Sequence, residues 1–261
     1  MKADNHIHTI FSDDSDCPME DMVKRGIDLG LNEMTFTDHV DYGVKDEENC
    51  QYDQYFDETA RLSEKYGDRI CIKTGIEFGM QKEYIEEFQR DFDTHPFDFV
   101  ILSNHQIGNQ EFWTGEYQRG KTQDQINRGY YEAILEVMKL YHDYSVLGHL
   151  DMIKRYDNYG EYPDEKVMDL IDAILRQVIA DGKGIEVNTS CFHYGLSDLT
   201  PSRNILKRYH ELGGKIITIG SDAHATEYLA DHIDYVKDEL KKLGYDEFCT
   251  FSQMNPEFHP L

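Results

Sequence analysis

The chain has 261 residues, 39% hydrophobic and 30% charged, which describes a globular protein with room for one sizeable α/β core rather than a disordered segment. Its formal charge of −25 sets it against polymeric nucleic acid and anionic membrane surfaces, and no apolar run approaches the roughly 20 residues of a bilayer span. Five scattered cysteines without CxxC spacing argue against a disulfide framework or a cysteine-type zinc site and, with no apolar stretch among the first residues, lead to an expected cytoplasmic location.

Short β-rich runs alternate with helical patterns along the whole chain, without a repeat, a linker or a low-complexity tract. The first predicted strand, Ala3–His8, sets His6 and His8 side by side, because residues i and i+2 of a strand share a face. A pair of parallel imidazoles suits a divalent cation, and the run FSDD that follows supplies carboxylates. A helix over 18–29 opens on Pro18 and closes at Gly30. The second strand, Glu33–Thr37, runs into Asp38 and His39, and a helix follows over 51–66. The third, Ile70–Phe78, carries Glu77 between Gly75 and Gly79 and precedes a helix over 81–93. The fourth, Asp98–Ser103, leads to His105. A polar loop with Trp113, Tyr117 and Arg119 comes next, a candidate lid over a substrate, and then a helix over 122–142. The fifth, Ser145–Leu150, carries His149 and precedes a helix over 164–181, opened by Pro163. The sixth, Gly184–Thr189, places Glu186 and Asn188 on one face; the helix over 201–212 opens at Pro201-Ser202 and ends at Gly213-Gly214. The seventh, Lys215–Gly220, runs into Asp222 and His224, again two apart, and a last helix covers 226–242.

Seven βα units in one chain imply a parallel sheet, closed as a TIM-like barrel in a single domain over 1–261; an open doubly wound sheet is the alternative. Six of the twelve histidines fall at the C-terminal ends of the seven strands, the rim where barrels build their active sites. Singly, each has an ordinary explanation: His39 could bond Asp38, Glu77 could be a turn acid, and His105 or His149 could be satisfied core histidines. Together they read as a metal centre, and an open sheet would not bring all these ends to one point. His95, His142, His210, His232 and His259 lie on predicted helices or loops and read as surface residues.

The ordered motifs HxH, TDH, Glu77, NH, GH and SDAH resemble the PHP (polymerase and histidinol phosphatase) family over nearly the whole chain. FSDDS, TDHVDY, GIEFG, GHLDMIKRY and EVNTS are most similar to its stand-alone histidinol-phosphate phosphatases. The resemblance implies a distorted (β/α)7 barrel with three divalent ions, zinc, manganese or iron, at its mouth. It puts His6, His8, Glu77 and Asp222 on the first ion. Glu77 bridges to a second ion held by His105 and His149, and Asp14, His39 and His224 hold the third. Some relatives have histidine where this chain has Asp14, which makes the third site harder; Asp13 or Asp16 takes that role if the register is shifted.

The implied reaction is hydrolysis of a small phosphate monoester, first of all L-histidinol phosphate to L-histidinol and phosphate in histidine biosynthesis. The nucleophile would be a metal-bridging hydroxide, and Glu77 would bridge the metals that hold it. Three dications against Asp14, Glu77 and Asp222 leave a locally positive site inside an acidic protein. Arg155 is the first choice for a phosphate contact, since a guanidinium grips two oxygens; a surface ion pair is its ordinary alternative. His224, Asp151 and His193 are candidates to protonate the leaving oxygen. Many of these phosphatases show an arginine after NTS where this chain has His193, which would meet phosphate more weakly. Glu186, with Asn188 beside it, could meet a cationic amine, and Tyr117 or Arg119 could reach inward from the loop. Rival readings are a PHP phosphoesterase for another ester such as a nucleotide, a metal-holding accessory module without turnover, and an amidohydrolase-type deaminase. The deaminase would need neither His39 nor Glu77.

Overall fold

Runs such as FVILS and ITIG, apolar on both faces, suit strands buried between a barrel interior and a coat of helices. The computed structural model describes residues 1–261, and in it the chain order of the strands becomes their order in space. Strands β1 (Ala3–Ile7), β2 (Glu33–Phe36), β3 (Cys71–Gly79), β4 (Phe99–Ser103), β5 (Val146–Leu147), β6 (Gly184–Asn188) and β7 (Ile217–Gly220) pair parallel, each with the next. The ring is nearly closed. At the seam β1 and β7 meet just past their ends, where His8 N donates to Ala223 O at 2.9 Å and Asp222 N to His6 O at 2.8 Å. The architecture is therefore the distorted seven-stranded barrel that the motifs implied, and the open sheet is excluded.

Helices α1 (Met19–Asp28), α2 (Tyr52–Tyr66), α3 (Ile85–Thr94), α4 (Gln123–Met138), α5 (Met168–Ala180), α6 (Arg203–Glu211) and α7 (Ile233–Lys242) coat the strands. Thr122 and Gln125 form a capping box at the start of α4, and Ser202 accepts from Ile205 N at the start of α6. None of the helices is long and apolar enough to cross a membrane.

Three differences from the sequence reading have physical causes. The fifth strand shrinks to two residues because His149 leaves extended geometry, with φ 20°, and its N–H donates to Glu186 Oε2 at 3.0 Å. The last helix starts at Ile233 rather than near 226, because Ala230 and His232 adopt left-handed φ values of 56°. That turn is held from outside: the buried carboxylate of Asp4 accepts from Ala230 N at 2.9 Å and Ser221 N at 2.8 Å. The third difference is an antiparallel hairpin, β8 (Glu247–Ser252) with β9 (Asn255–Pro260), which the alternation of strands and helices did not announce.

The hairpin closes the N-terminal end of the barrel. Cys249 and Phe251 pack with Phe99, Ile101 and Val146 in a small cluster apart from the main core, with the Phe251 and Phe99 rings 5.1 Å between centroids. Phe251→Ala should therefore cost about 3–5 kcal/mol, read as a lower urea midpoint, with the activity of the folded fraction retained. A variant as stable as the parent would show that the hairpin is not part of the cooperative core.

Candidate metal centre

The alternation of β1 turns His6 and His8 toward the barrel axis, where both rings are fully buried. They meet Glu77, fully buried near the C-terminal end of β3. Glu77 Oε2 lies 3.0 Å from His6 Nε2, 3.4 Å from His8 Nε2 and 3.4 Å from His39 Nδ1. Its Oε1 lies 2.8 Å from His149 Nε2 and 3.2 Å from His105 Nε2. Asp222 Oδ1 approaches His6 and His8 Nε2 at 3.5 and 3.3 Å. Asp14 Oδ2 lies 3.1 Å from His224 Nε2 and 3.8 Å from His39 Nε2. All nine residues expected at the metals thus converge on one mouth, although they come from seven separate strand ends and loops. Asp13 instead pairs with Lys45, and Asp16 is exposed.

A set of partners fixes the rings. Glu186 Oε1 lies 2.6 Å from His6 Nδ1, Asp41 Oδ1 2.9 Å from His105 Nδ1, Ser12 Oγ 3.1 Å from His8 Nδ1, and Ser103 donates to Glu77 Oε1 at 2.5 Å. Such contacts hold an imidazole in one tautomer and aim its other nitrogen. Close approach explains two glycines: a Cβ at Gly79 would overlap the Asp41 carboxylate and one at Gly220 would overlap His6. Asp222 adopts a left-handed φ of 58°, backbone strain of the kind that collects at functional sites.

The charges interlock. Burial would raise Glu77, but His6, His105 and His39 hold it well below the usual carboxylate range, and His6, His8 and Arg155 do the same for buried Asp222. Burial opposes charge on His105, yet Asp41 and Glu77 push its pKa up to about 10. His8 goes the other way, to about 3, through burial and the neighbouring His224 and His39. The carboxylates are thus ionised and demand cationic partners, while His8 stays a neutral, ligand-ready imidazole.

The donor chemistry fits divalent transition metals: imidazole nitrogen and carboxylate oxygen suit zinc, manganese or iron. Three groups have donor atoms all within 4.8 Å of one another: His6 with His8 and Asp222, His39 with Glu77 and His105, and His8 with His39 and His224. His8 Nε2, His39 Nδ1 and His224 Nε2 are buried and face carboxylate oxygens at 3.1 to 3.4 Å without a well-aligned hydrogen bond, an arrangement that polar atoms in a packed interior avoid unless something else satisfies them. The grouping differs from the sequence expectation: His39 lies between the second and third sets, with Nδ1 toward Glu77 and Nε2 toward Asp14, His8 also joins the third group, and His149 and Asp14 fall outside the compact triplets.

Beside the cluster opens a cavity of roughly 280 Å³ bordered by Arg155, Tyr156, Lys45 and Trp113. Arg155 is nearly buried, with Nη2 2.5 Å from Ser190 Oγ and 3.4 Å from Asp222 Oδ2. His193, an exposed ring, borders an adjoining cavity. Several other expected substrate contacts lie elsewhere. Tyr117 is buried and donates to Ile126 O at 3.1 Å, and Arg119 is exposed away from the cavity, so only Trp113 of that loop reaches the mouth. Glu186 is buried, lines neither cavity and turns its oxygens to His6, the His149 backbone and Asn188 rather than to an amine. Asn188 ties Glu186 and Asp222 to Ser190 and is fully buried. Asp151, one of the three candidates to protonate the leaving oxygen, is fully buried, with Oδ2 accepting from Lys154 Nζ at 2.7 Å and Ser202 N at 3.0 Å, outside the cavity. Buried polar residues on an inward face read alike in sequence whether they meet substrate or each other.

Asp41 was missed in the sequence reading, although it stands two residues beyond His39 in the quoted motif TDHVDY, the spacing that shares a strand face. Asp41→Ala should weaken zinc affinity about 10–100-fold, measured as the metal concentration needed for half-maximal activity. An unchanged metal requirement would mean that the carboxylate does not orient His105.

The PHP domain family matches residues 4–190. The histidinol-phosphatase of Lactococcus lactis subsp. lactis (strain IL1403) is 34% identical over 260 residues, covering 97% of this chain and 95% of its own. The "Probable histidinol-phosphatase" of Clostridium acetobutylicum is 31% identical and covers 86% and 87%. The crystal structure of the L. lactis histidinol phosphate phosphatase, complexed with zinc, L-histidinol and phosphate, superposes with a TM-score of 0.90 at 33% identity over 98% of each chain.

Proposed function

Because this chain belongs to the PHP domain family, we propose that it is a metal-dependent phosphomonoesterase that hydrolyses L-histidinol phosphate to L-histidinol and phosphate. The observation that carries this reading is the convergence of six imidazoles on Glu77, Asp222 and Asp14 beside the buried guanidinium of Arg155. Near full-length likeness to a phosphatase that binds zinc, L-histidinol and phosphate supports the substrate.

His6, His8 and Asp222 with Glu77 would hold one ion, His105 and His149 with Glu77 a second, and Asp14, His39 and His224 a third. When bound, such ions supply Lewis acidity to phosphoryl oxygens and acidify water. Arg155, whose guanidinium borders the cavity, binds the phosphoryl group. Asp222, Ser190 and the Tyr194 ring, 4.4 Å from the guanidinium carbon, fix the guanidinium plane. His224 has no proton to give when it is a ligand, and Asp151 lies outside the cavity, which leaves His193, on the adjoining cavity, as the candidate to protonate the departing oxygen.

The test is phosphate release from L-histidinol phosphate beside sugar and nucleotide monoesters, on protein of measured metal content. A preference of roughly 10²-fold or more in kcat/KM for L-histidinol phosphate is expected, lost on chelation and restored by zinc. A preferred nucleotide ester would overturn the substrate, and full activity in metal-free protein would overturn the metal dependence.

A further inference from the structure

The motif TDH contributes His39 to the cluster, but its aspartate has no part in the reaction described above. Asp38 is fully buried, and its side chain turns back to the loop that follows β1. A buried carboxylate is costly unless donors surround it, and this loop supplies them. Thr9 N donates to Oδ1 at 2.6 Å, Ser12 Oγ to Oδ1 at 2.8 Å, and Thr9 Oγ1 to Oδ2 at 2.9 Å. The carbonyl of Asp38 accepts from Glu77 N at 3.1 Å, so one residue ties the loop after β1 to the strand that carries Glu77.

Ser12 Oγ makes three contacts, which use all that a hydroxyl has: one proton and two lone pairs. The proton goes to Asp38, because a carboxylate ringed by donors can only accept. One lone pair accepts from His39 N at 3.0 Å. The other faces His8 Nδ1 at 3.1 Å, and with no proton left to give, Ser12 can only accept from that nitrogen. A neutral imidazole carries a single ring proton, so this contact places it on Nδ1 and leaves Nε2 bare. Glu77 Oε2 and Asp222 Oδ1, at 3.4 and 3.3 Å from Nε2, draw the proton the other way, but neither forms a well-aligned hydrogen bond. A proton on Nε2 would point where an ion must bond.

We propose that Asp38 is a positioning residue of the metal centre: by taking the proton of Ser12 it holds the His8 proton on Nδ1 and keeps Nε2 open as a metal donor. The assignment rests on the proposed metal dependence and deepens it, because it names what readies a ligand before an ion arrives. Asp38 acts through Ser12 and touches neither ion nor substrate.

The experiment reads the His8 tautomer from long-range proton–nitrogen NMR spectra of the metal-free, histidine-labelled chain, with His8 assigned by the loss of its signals in His8→Asn. Zinc affinity is measured beside it by competition with a chelator. The wild type should carry the His8 proton on Nδ1. Asp38→Ala frees the Ser12 proton to point at Nδ1, so it should move the His8 proton to Nε2 and weaken zinc binding about 10–100-fold. Asp38→Asn should keep the wild-type tautomer, since its amide oxygen still accepts from Ser12 while its NH₂ faces Thr9 Oγ1. Ser12→Ala should weaken zinc binding as much as Asp38→Ala, and the two combined should lose no more. A wild type that takes up no zinc overturns the metal reading and this role with it. A zinc-binding wild type whose His8 carries its proton on Nε2, or on both nitrogens, overturns the role alone. So does an Asp38→Ala loss that persists in full on the Ser12→Ala background, which a merely structural aspartate would give. Should Asp38→Ala not fold, the wild-type tautomer and the Ser12→Ala affinity decide, and unchanged zinc binding in Ser12→Ala overturns the role.

Discussion

Glu77→Gln is expected to lower kcat for phosphate release by about 10³-fold or more, with a barrel that still folds. No other side chain touches so much of the cluster: its two oxygens face His6, His8 and His39 on one side and His105 and His149 on the other. Glutamine has nearly the same shape, so packing in the fully buried site is conserved. Two things change. The negative charge that would be shared between two cations is gone, and one of the two acceptor atoms becomes an NH₂ donor facing ligand nitrogens. The amide would therefore remove the proposed metal bridge without opening a cavity, which separates chemistry from stability. Kinetics at saturating zinc, metal content and near-ultraviolet circular dichroism together read the result. Near-normal kcat with full metal content would remove Glu77 from the bridging position and with it the assignment of the first two ions.

The rim of the barrel was legible in the sequence because its signal is local and periodic. His6 and His8, Asp222 and His224, and His39 with Asp38 each announce a strand end within a few residues, and parallel topology then forces those ends together. Which of the inward polar groups would meet substrate was not legible. Glu186 and Asn188 have the alternation of cavity-lining residues, and they do face inward, but their hydrogen bonds are consumed by His6, the His149 backbone and Asp222. Those partners are 34 to 180 residues distant in sequence, beyond any window of periodicity. Tyr117 was misread for a similar reason: a polar loop was legible, but not that its tyrosine would turn inward to the Ile126 carbonyl. The hairpin after α7 lies outside the βα rhythm, so nothing in that rhythm announced it. The late start of α7 depends on Asp4, more than 200 residues earlier.

Arg155→Ala is expected to reduce kcat/KM for L-histidinol phosphate by about 10²–10³-fold, and Arg155→Lys to recover only part of the loss. The guanidinium is nearly buried, braced by Ser190, Asn188 and Asp222 on one edge and by the Tyr194 ring on its face. A planar fork held this way can meet two phosphoryl oxygens at once; an ammonium on a flexible stem cannot. Arg155 is the one guanidinium that borders the cavity. Its loss should therefore weaken competitive inhibition by inorganic phosphate along with turnover. Inhibition by phosphate separates the two roles that Arg155 could have. If kcat/KM falls while the phosphate inhibition constant stays put, Arg155 acts by holding Asp222, and the anion is held by other groups. If both move together, the guanidinium touches the phosphoryl group itself.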